Sequence, residues 1–309
     1  MPRHYRWVTE ESRLHDPLWT SASRWLSAGP GIRAVDVAVL GIPTSKTALR
    51  PSNTQGTPAA VRAALAHFST WSSSHDADLE RLAPVDVGDV DNADGDEDAV
   101  VGAAARAAAV ARLVLGLGGD NSALYGLARG LFGEDLHQSG VVLLDSQQDI
   151  RDGVNNASSV RRLVEAGMAP NLIVQVGIAD WANSRYYSER AKSWGVRVIP
   201  REEVARRGVT SCMRDALDLA SRGGGGVLVD IDFDVCDQGA APACRGAIPG
   251  GLTALDVREA AFVAGQHQTV RSLLVTEIDA AADGEDGRTV RLAALCLLEA
   301  CAGLIRRLR

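Results

Sequence analysis

The alternation of short apolar runs with helical stretches is what most constrains this chain. Candidate strands recur at Ala34–Leu40, Val85–Val87, Leu113–Leu117, Gly140–Leu144, Leu172–Val176, Val196–Ile199, Gly226–Ile231 and Ser272–Val275. Stretches of helical period fill the intervals, and such alternation predicts a parallel sheet with helices on both faces. Runs such as VVLL and VLVDI are unbroken apolar segments, as strands covered on both sides require. Candidate helices begin with Thr57 as N-cap ahead of Pro58. They continue at Glu97–Arg112, Ser159–Ala166, Glu202–Arg207, Cys212–Ala220, Ala254–Gly265 and Thr289–Arg307. Asp283, Glu285 and Asp286 precede the last helix and Arg306, Arg307 and Arg309 end it, the order its dipole favours. Gly223–Gly226 reads as a tight loop between helix and strand. No repeat or linker divides the chain, so residues 1–309 read as one α/β domain with residues 1–30 as an N-terminal extension.

Composition excludes whole classes of partner. Lys and Arg total 32 against 39 Asp and Glu, a net charge of -7 with no basic cluster. That argues against nucleic acid and anionic membranes. The first residues, MPRHYRWVTEESRLHD, contain no apolar signal core, and the longest apolar run, Leu292–Leu298, falls far short of the ~20 residues of a membrane span. Five cysteines with no CxxC pair read as buried thiols. A soluble cytoplasmic protein is expected.

The acids are not scattered. In a parallel sheet, ligands bind at the carboxyl ends of the strands, and three apolar strands run into acidic motifs there: GGDN (Gly118–Asn121), DSQQD (Asp145–Asp149) and DIDFDVCD (Asp230–Asp237). By the period of two of an extended segment, Asp145, Gln147 and Asp149 share one side, as do Asp230, Asp232 and Asp234. Crowded carboxylates are costly unless protons or cations neutralise them, so a cation site is the natural compensation.

With these motifs in view, the chain resembles the ureohydrolases (arginase, agmatinase, formiminoglutamase) nearly end to end. LGIPTSKTALRPSNTQGTPAAVR resembles the family's GIPxD…RPGxxxGPxAIR opening, and GGDNS and DSQQD stand where the family has GGDHS and DAHxD. VDVGDV resembles DxGD, NNASSVRRLVEAG resembles SHGTxFRRAxEEG, and VQVGIAD resembles the strand ending GIR. DIDFDVCDQGAAPACRGAIPGGLT resembles SxDxDxxDPxxAPGTGTPxPGGLT, and TEIDAAAD resembles ExNPxxD. The resemblance implies a single three-layer α/β/α domain with a mostly parallel sheet of about eight strands, assembled as a homo-oligomer, trimer or hexamer. It also implies divalent metal, usually manganese, used to hydrolyse guanidinium or amidine groups of a small-molecule substrate.

Carried over by motif, the metal ligands are Asp145, Asp149, Asp232 and Asp234, with Glu277 the acid facing the guanidinium group. Every family site histidine is replaced by an amide: Asn121 and Gln147 stand for the two ligand histidines, and Asn156 for the proton-transfer histidine. None of His4, His15, His67, His75, His137 or His267 lies in a motif. Amide oxygens suit harder ions such as magnesium or manganese and bind manganese more weakly than imidazole does. Amides carry no titratable proton, so proton movement falls to Asp149, Glu277 or water.

Three readings follow, in this order. The first is an amidine or guanidine C–N hydrolase with an all-oxygen metal site, its catalytic residues Asp149, Glu277 and Asn156. The second is a repurposed biosynthetic enzyme with one metal or none. The third is a non-catalytic member, for which count Ala179 in place of the arginine after VQVGI and the altered CRGAIPGG loop. Arg151–Ser159 is the expected substrate rim, with Arg151, Asn155, Ser158 and Glu277 as substrate-binding residues and Arg151 suited to a carboxylate. The DIRD run is closer to formiminoglutamase than to arginase. Cys236 and Cys244 lie near the acids, but nothing in sequence would lower their pKa, so packing is expected of them.

Overall fold

The computed structural model describes Asp16 and residues 18–309; the other positions, His4 and His15 among them, lie outside the described residues. In chain order the strands are β1 (Val37–Ile42), β2 (Trp71–Ser72), β3 (Ala77–Asp78), β4 (Pro84–Asp89), β5 (Leu113–Gly118), β6 (Gly140–Leu144), β7 (Ile173–Ile178), β8 (Arg197–Pro200), β9 (Val227–Asp232) and β10 (Val270–Thr276). β2 and β3 pair with each other as a short antiparallel hairpin. The other eight form one parallel sheet in the order β4-β1-β5-β10-β9-β6-β7-β8. All eight expected strands are present, with ends shifted by a few residues.

Period-two alternation distributes the strand side chains between two cores. Leu113, Leu115, Leu117, Val142 and Leu144 face one side, under the helices Thr57–Ala64, Val209–Ala220, Ala254–Gln266 and Arg288–Arg307. Val114, Val141 and Leu143 face the other, under Glu97–Val110, Ala123–Phe132, Ser159–Glu165 and Arg185–Trp194. The result is a three-layer α/β/α fold, with the inner strands β1, β5, β6, β7 and β9 buried along their whole length, as their apolar runs require, and the edge strands β4 and β8 partly exposed. All five cysteines are buried and free. Among the described residues no helix is long and apolar enough to cross a membrane.

Three helices escaped the sequence pattern for identifiable reasons. Ala123–Phe132 contains Gly126 and Gly130, poor helix formers, yet a Cβ on Gly126 would meet Val100 and one on Gly130 the backbone of Val101. Close packing on the neighbouring helix therefore outweighs propensity. Arg185–Trp194 buries only Ala191 and so shows no apolar stripe. Ala22–Ala28 lies inside the expected extension, where it buries Trp25 and Leu26. One capping expectation is corrected: Gly56, not Thr57, occupies the N-cap. Inside the first turn, Thr57 turns its hydroxyl to the carbonyl of Ile278 and ties this helix to the loop after β10. At the last helix the expected acid acts directly: Asp283 accepts from the Val290 amide (3.0 Å) and the Thr289 hydroxyl (2.9 Å).

Candidate metal centre

The middle of the sheet runs β5, β10, β9, β6, and these adjacent strands end at one edge. The chain leaves them through Gly118–Asn121, Thr276–Asp279, Asp232–Asp234 and Asp145–Asp149. Motifs far apart in sequence thus become neighbours because their strands are neighbours, at the edge where parallel sheets bind ligands.

Asp145, Asp232 and Asp234 are buried and each offers an oxygen within 4.8 Å of the other two. Asp149 stands outside this close trio but lines a cavity together with Asp232 and Asp234. The expected period of two holds for Asp230 and Asp232, both in β9 and both accepting from Asn121 Nδ2, and does not set the directions of Asp149 and Asp234. β6 stops at Leu144, and Asp149 has a left-handed backbone (φ 51°), so Asp145–Asp149 is a turn and not an extended segment. Asp234 lies in the turn Phe233–Val235, which Asp232 caps by accepting the Asp234 amide (2.8 Å). Turn geometry, not strand alternation, aims Asp149 and Asp234 inward.

The two amides at the ligand-histidine positions, Asn121 and Gln147, face the acids. Asn121 Nδ2 donates to Asp230 Oδ2 (3.0 Å) and Asp232 Oδ2 (3.2 Å), and Gln147 Nε2 donates to Asp234 Oδ2 (3.2 Å). Burial pushes the carboxyls of Asp145, Asp149 and Asp232 well above the usual range, and repulsion among neighbouring acids adds to it. Burial raises Asp234 too and takes Asp230 up to about 8. Asn121 Oδ1, Asp145 Oδ2 and Asp149 Oδ2 are buried without a hydrogen-bond partner. Unpaired buried oxygens beside repelling acids are unfavourable unless a cation joins them. An all-oxygen donor set fits a hard divalent ion.

Above the acids lies a cavity of about 520 Å³. Glu277 enters it from the end of β10, with its Oε1 accepting from the Asn121 amide (2.7 Å) and from Asn156 Nδ2 (2.9 Å). Burial is the main cause that pushes Glu277 up to about 7. Asn156 is held in turn by the Leu49 amide, which donates to its Oδ1 (3.1 Å). Arg151 and Asn156 line the cavity. Asn155 and Ser158 do not, which corrects their expected place on the substrate rim. They cap one short turn: Asn155 Oδ1 accepts the Ala157 amide (3.1 Å), and Ser158 Oγ accepts the Asn155 amide (3.1 Å) while donating to its carbonyl (2.6 Å). Their polarity is satisfied locally, as Asx-type turns do.

Residues 35–303 match the Arginase family. The chain belongs to the arginase family. It is 30% identical over 287 residues to the formimidoylglutamase of Halalkalibacterium halodurans, covering 88% of each chain. Its fold is similar to that of Bacillus subtilis formimidoylglutamase, with TM-score 0.85 and 25% identity over 94% of this chain and 93% of that one. Trypanosoma cruzi formiminoglutamase, whose structure is described with Mn2+2, has TM-score 0.83 at 20% identity over 94% and 99% of the two chains.

In this arginase-family site the structure adds contacts for Asp230, which the sequence grouped with Asp232 and Asp234 but gave no ligand role, and residues the motifs did not single out. Asp230 sits beneath the trio, bound by Asn121 and by Thr276 Oγ1 (3.3 Å). Asp279 and Arg245 line the cavity, and so does Trp181, fully exposed with a left-handed backbone (φ 68°). Glu277 (φ 64°) and Asp149 share that backbone region, so three such side-chain-bearing residues cluster at one cavity, where strain of this kind concentrates. Sequence offers no sign of positive φ at Asp, Trp or Glu. Asp279 did carry a signal, since it stands where ExNPxxD has its asparagine.

Proposed function

We propose that this chain hydrolyses a C–N bond in a small formimino- or guanidino-type molecule, with a divalent cation, manganese or magnesium, held by Asp145, Asp149, Asp232 and Asp234. The observation that carries this is the convergence of buried, unpartnered carboxylate oxygens beneath a cavity that also holds Glu277. The relatives named formimidoylglutamase support the reaction class. A cation bound there supplies a water acidic enough to act as nucleophile near neutral pH.

The chain's own residues do the rest. Glu277, fixed by the Asn121 amide and Asn156, presents its other oxygen to the amidinium and holds it in place. Asp149 Oδ2, free of hydrogen bonds, accepts the proton released by the attacking water and returns it to the leaving nitrogen. Asn156 orients Glu277 and transfers no proton. Arg151 stands at the mouth, where a substrate carboxylate would meet it. By resemblance to the family, the 309 residues act as a single domain with residues 1–30 as an extension, in a cytoplasmic homo-oligomer, trimer or hexamer.

A second reading, a repurposed or non-catalytic member, is favoured by one observation. Asn121 and Gln147 present N–H groups to the acids, which suits a site neutralised by protons and amide donors. A half-turn of each amide exchanges N for O, so metal content decides. The test is elemental analysis after dialysis against manganese, followed by formamide release from N-formimino-L-glutamate and urea release from guanidino acids. Stoichiometric metal with turnover that Asp232→Ala abolishes supports hydrolysis. A protein that stays metal-free and inert overturns it in favour of the second reading.

A further inference from the structure

A second buried carboxylate faces the cavity, apart from the acids assigned to the cation. Asp279 is 1% exposed. Its Oδ2 accepts the Asn53 amide (3.1 Å) and stands 3.7 Å from an Arg245 guanidinium nitrogen, while its Oδ1 is buried and unpartnered. The Asp279 amide donates to the Ala243 carbonyl (2.9 Å), which joins the loop after β10 to the loop carrying Arg245. The next residue, Gly246, presses on the floor itself: a Cβ there would lie 2.8 Å from Asp234 Cβ and 2.9 Å from its Oδ2. Arg245 is thus one residue from a floor acid while its half-exposed guanidinium lines the cavity. Among the described residues Asp279 is its one acidic neighbour within 4 Å, so most of its five N–H donors are free.

On the reading that the site hydrolyses amidines or guanidines, we propose that Arg245 is a specificity-determining residue, additional to Arg151 at the mouth, that grips the carboxylate tail of the substrate, with Asp279 as its positioning residue. An acidic floor alone would draw in any cation, including amidines whose far end carries an amine. A guanidinium at the mouth reverses that preference at the far end. It repels a second positive charge and offers a planar fork to a carboxylate, so selection has both an attractive and a repulsive part. Asp279 holds one edge of the guanidinium from below and leaves the other edge to the ligand. The CRGAIPGG loop, which on sequence counted toward a non-catalytic protein, becomes the element that chooses the substrate.

The experiment compares wild type, Arg245→Gln, Arg245→Lys and Asp279→Asn on two probes, N-formimino-L-glutamate and N-butylformamidine. Calorimetry with L-glutamate on the manganese-soaked proteins reads binding without turnover. Arg245→Gln is expected to raise KM for the acid at least tenfold with kcat within about threefold, and to leave butylformamidine unaffected or improved. Arg245→Lys recovers part of the loss, and Asp279→Asn shows a smaller KM rise confined to the acid. Equal losses on both probes, or no loss on either, overturn the proposal and return the pair to a structural role. If wild type turns over neither probe, the hydrolase reading fails, and calorimetry still decides this one. Glutamate binding that Arg245→Gln weakens tenfold supports it; binding that is absent, or unchanged in the variant, overturns it.

Discussion

The floor and the rim of this cavity are built by different rules. Floor residues hang from the ends of four adjacent central strands, and their positions follow from sheet order. Rim residues come from separate connections, Arg50 and Leu49 before the helix Thr57–Ala64, Arg151 after β6, Trp181 after β7 and Arg245 after β9. The floor is buried, acidic and short of hydrogen bonds; the rim is exposed and basic, with Arg50, Arg151 and Arg245 all open to solvent. The scaffold therefore holds rigidly what any cation-assisted reaction needs, while exposed loops carry what distinguishes one substrate from another.

The sharpest way to break this comparison is to remove a floor acid. Asp232→Ala is expected to lower kcat/KM by about 10³-fold, the scale seen when a charge-stabilising group is deleted. The same variant tests whether the acids hold a cation. Manganese at about 100 times its Kd adds about 2.7 kcal/mol to a protein that binds it only when folded. Wild type should therefore melt several degrees higher in manganese than in chelator, and Asp232→Ala should lose most of that gap. It should lose less stability in chelator, where deleting one of several repelling acids offsets the lost hydrogen bonds. Equal destabilisation in both conditions would make the acid structural only.

Legibility in the sequence follows the same division. Burial on both faces leaves an inner strand an unbroken apolar run, so the inner sheet strands were readable from that alone. The edge strands β4 and β8 were readable from their place in the alternation, and so was the edge where Asp145, Asp232 and Asp234 meet. Beyond that edge periodicity ends. Asp149 and Asp234 turn inward through local backbone geometry that no spacing encodes. Asn155 and Ser158 look like substrate contacts because polar loop residues look alike, yet their groups satisfy one another. Arg245 was visible as a departure from the family loop; its use was not, because that depends on Asp279 thirty-four residues away reaching the same cavity.

A smaller effect is expected where the floor departs from the family. Asn121→His with Gln147→His places imidazole where amides face Asp232 and Asp234. Imidazole suits manganese better than an amide oxygen does, so the double variant should bind manganese about tenfold more tightly, the low end of what changes around a metal site produce. Titration of both proteins with manganese, followed by calorimetry, measures this. Unchanged affinity would mean that positions 121 and 147 serve the acids as hydrogen-bond donors and not the cation. Gly246→Ala should act in the opposite direction, because its Cβ would displace the Asp234 carboxylate.

The smallest effect belongs to the rim residues that turned away from the cavity. Asn155→Ala removes an acceptor from the Ala157 amide, as loss of a helix cap does, and should cost about 1 kcal/mol of stability. Ser158→Ala removes a buried hydroxyl with two local partners and should cost a similar amount. Because neither side chain lines the cavity, KM and kcat should stay within about twofold of wild type once the protein is folded and saturated with manganese. A KM rise specific to an acidic substrate, with little change in melting temperature, would place Asn155 or Ser158 against the ligand. The division between a rim that caps its own turns and a rim that selects substrate would then have to be redrawn to include them.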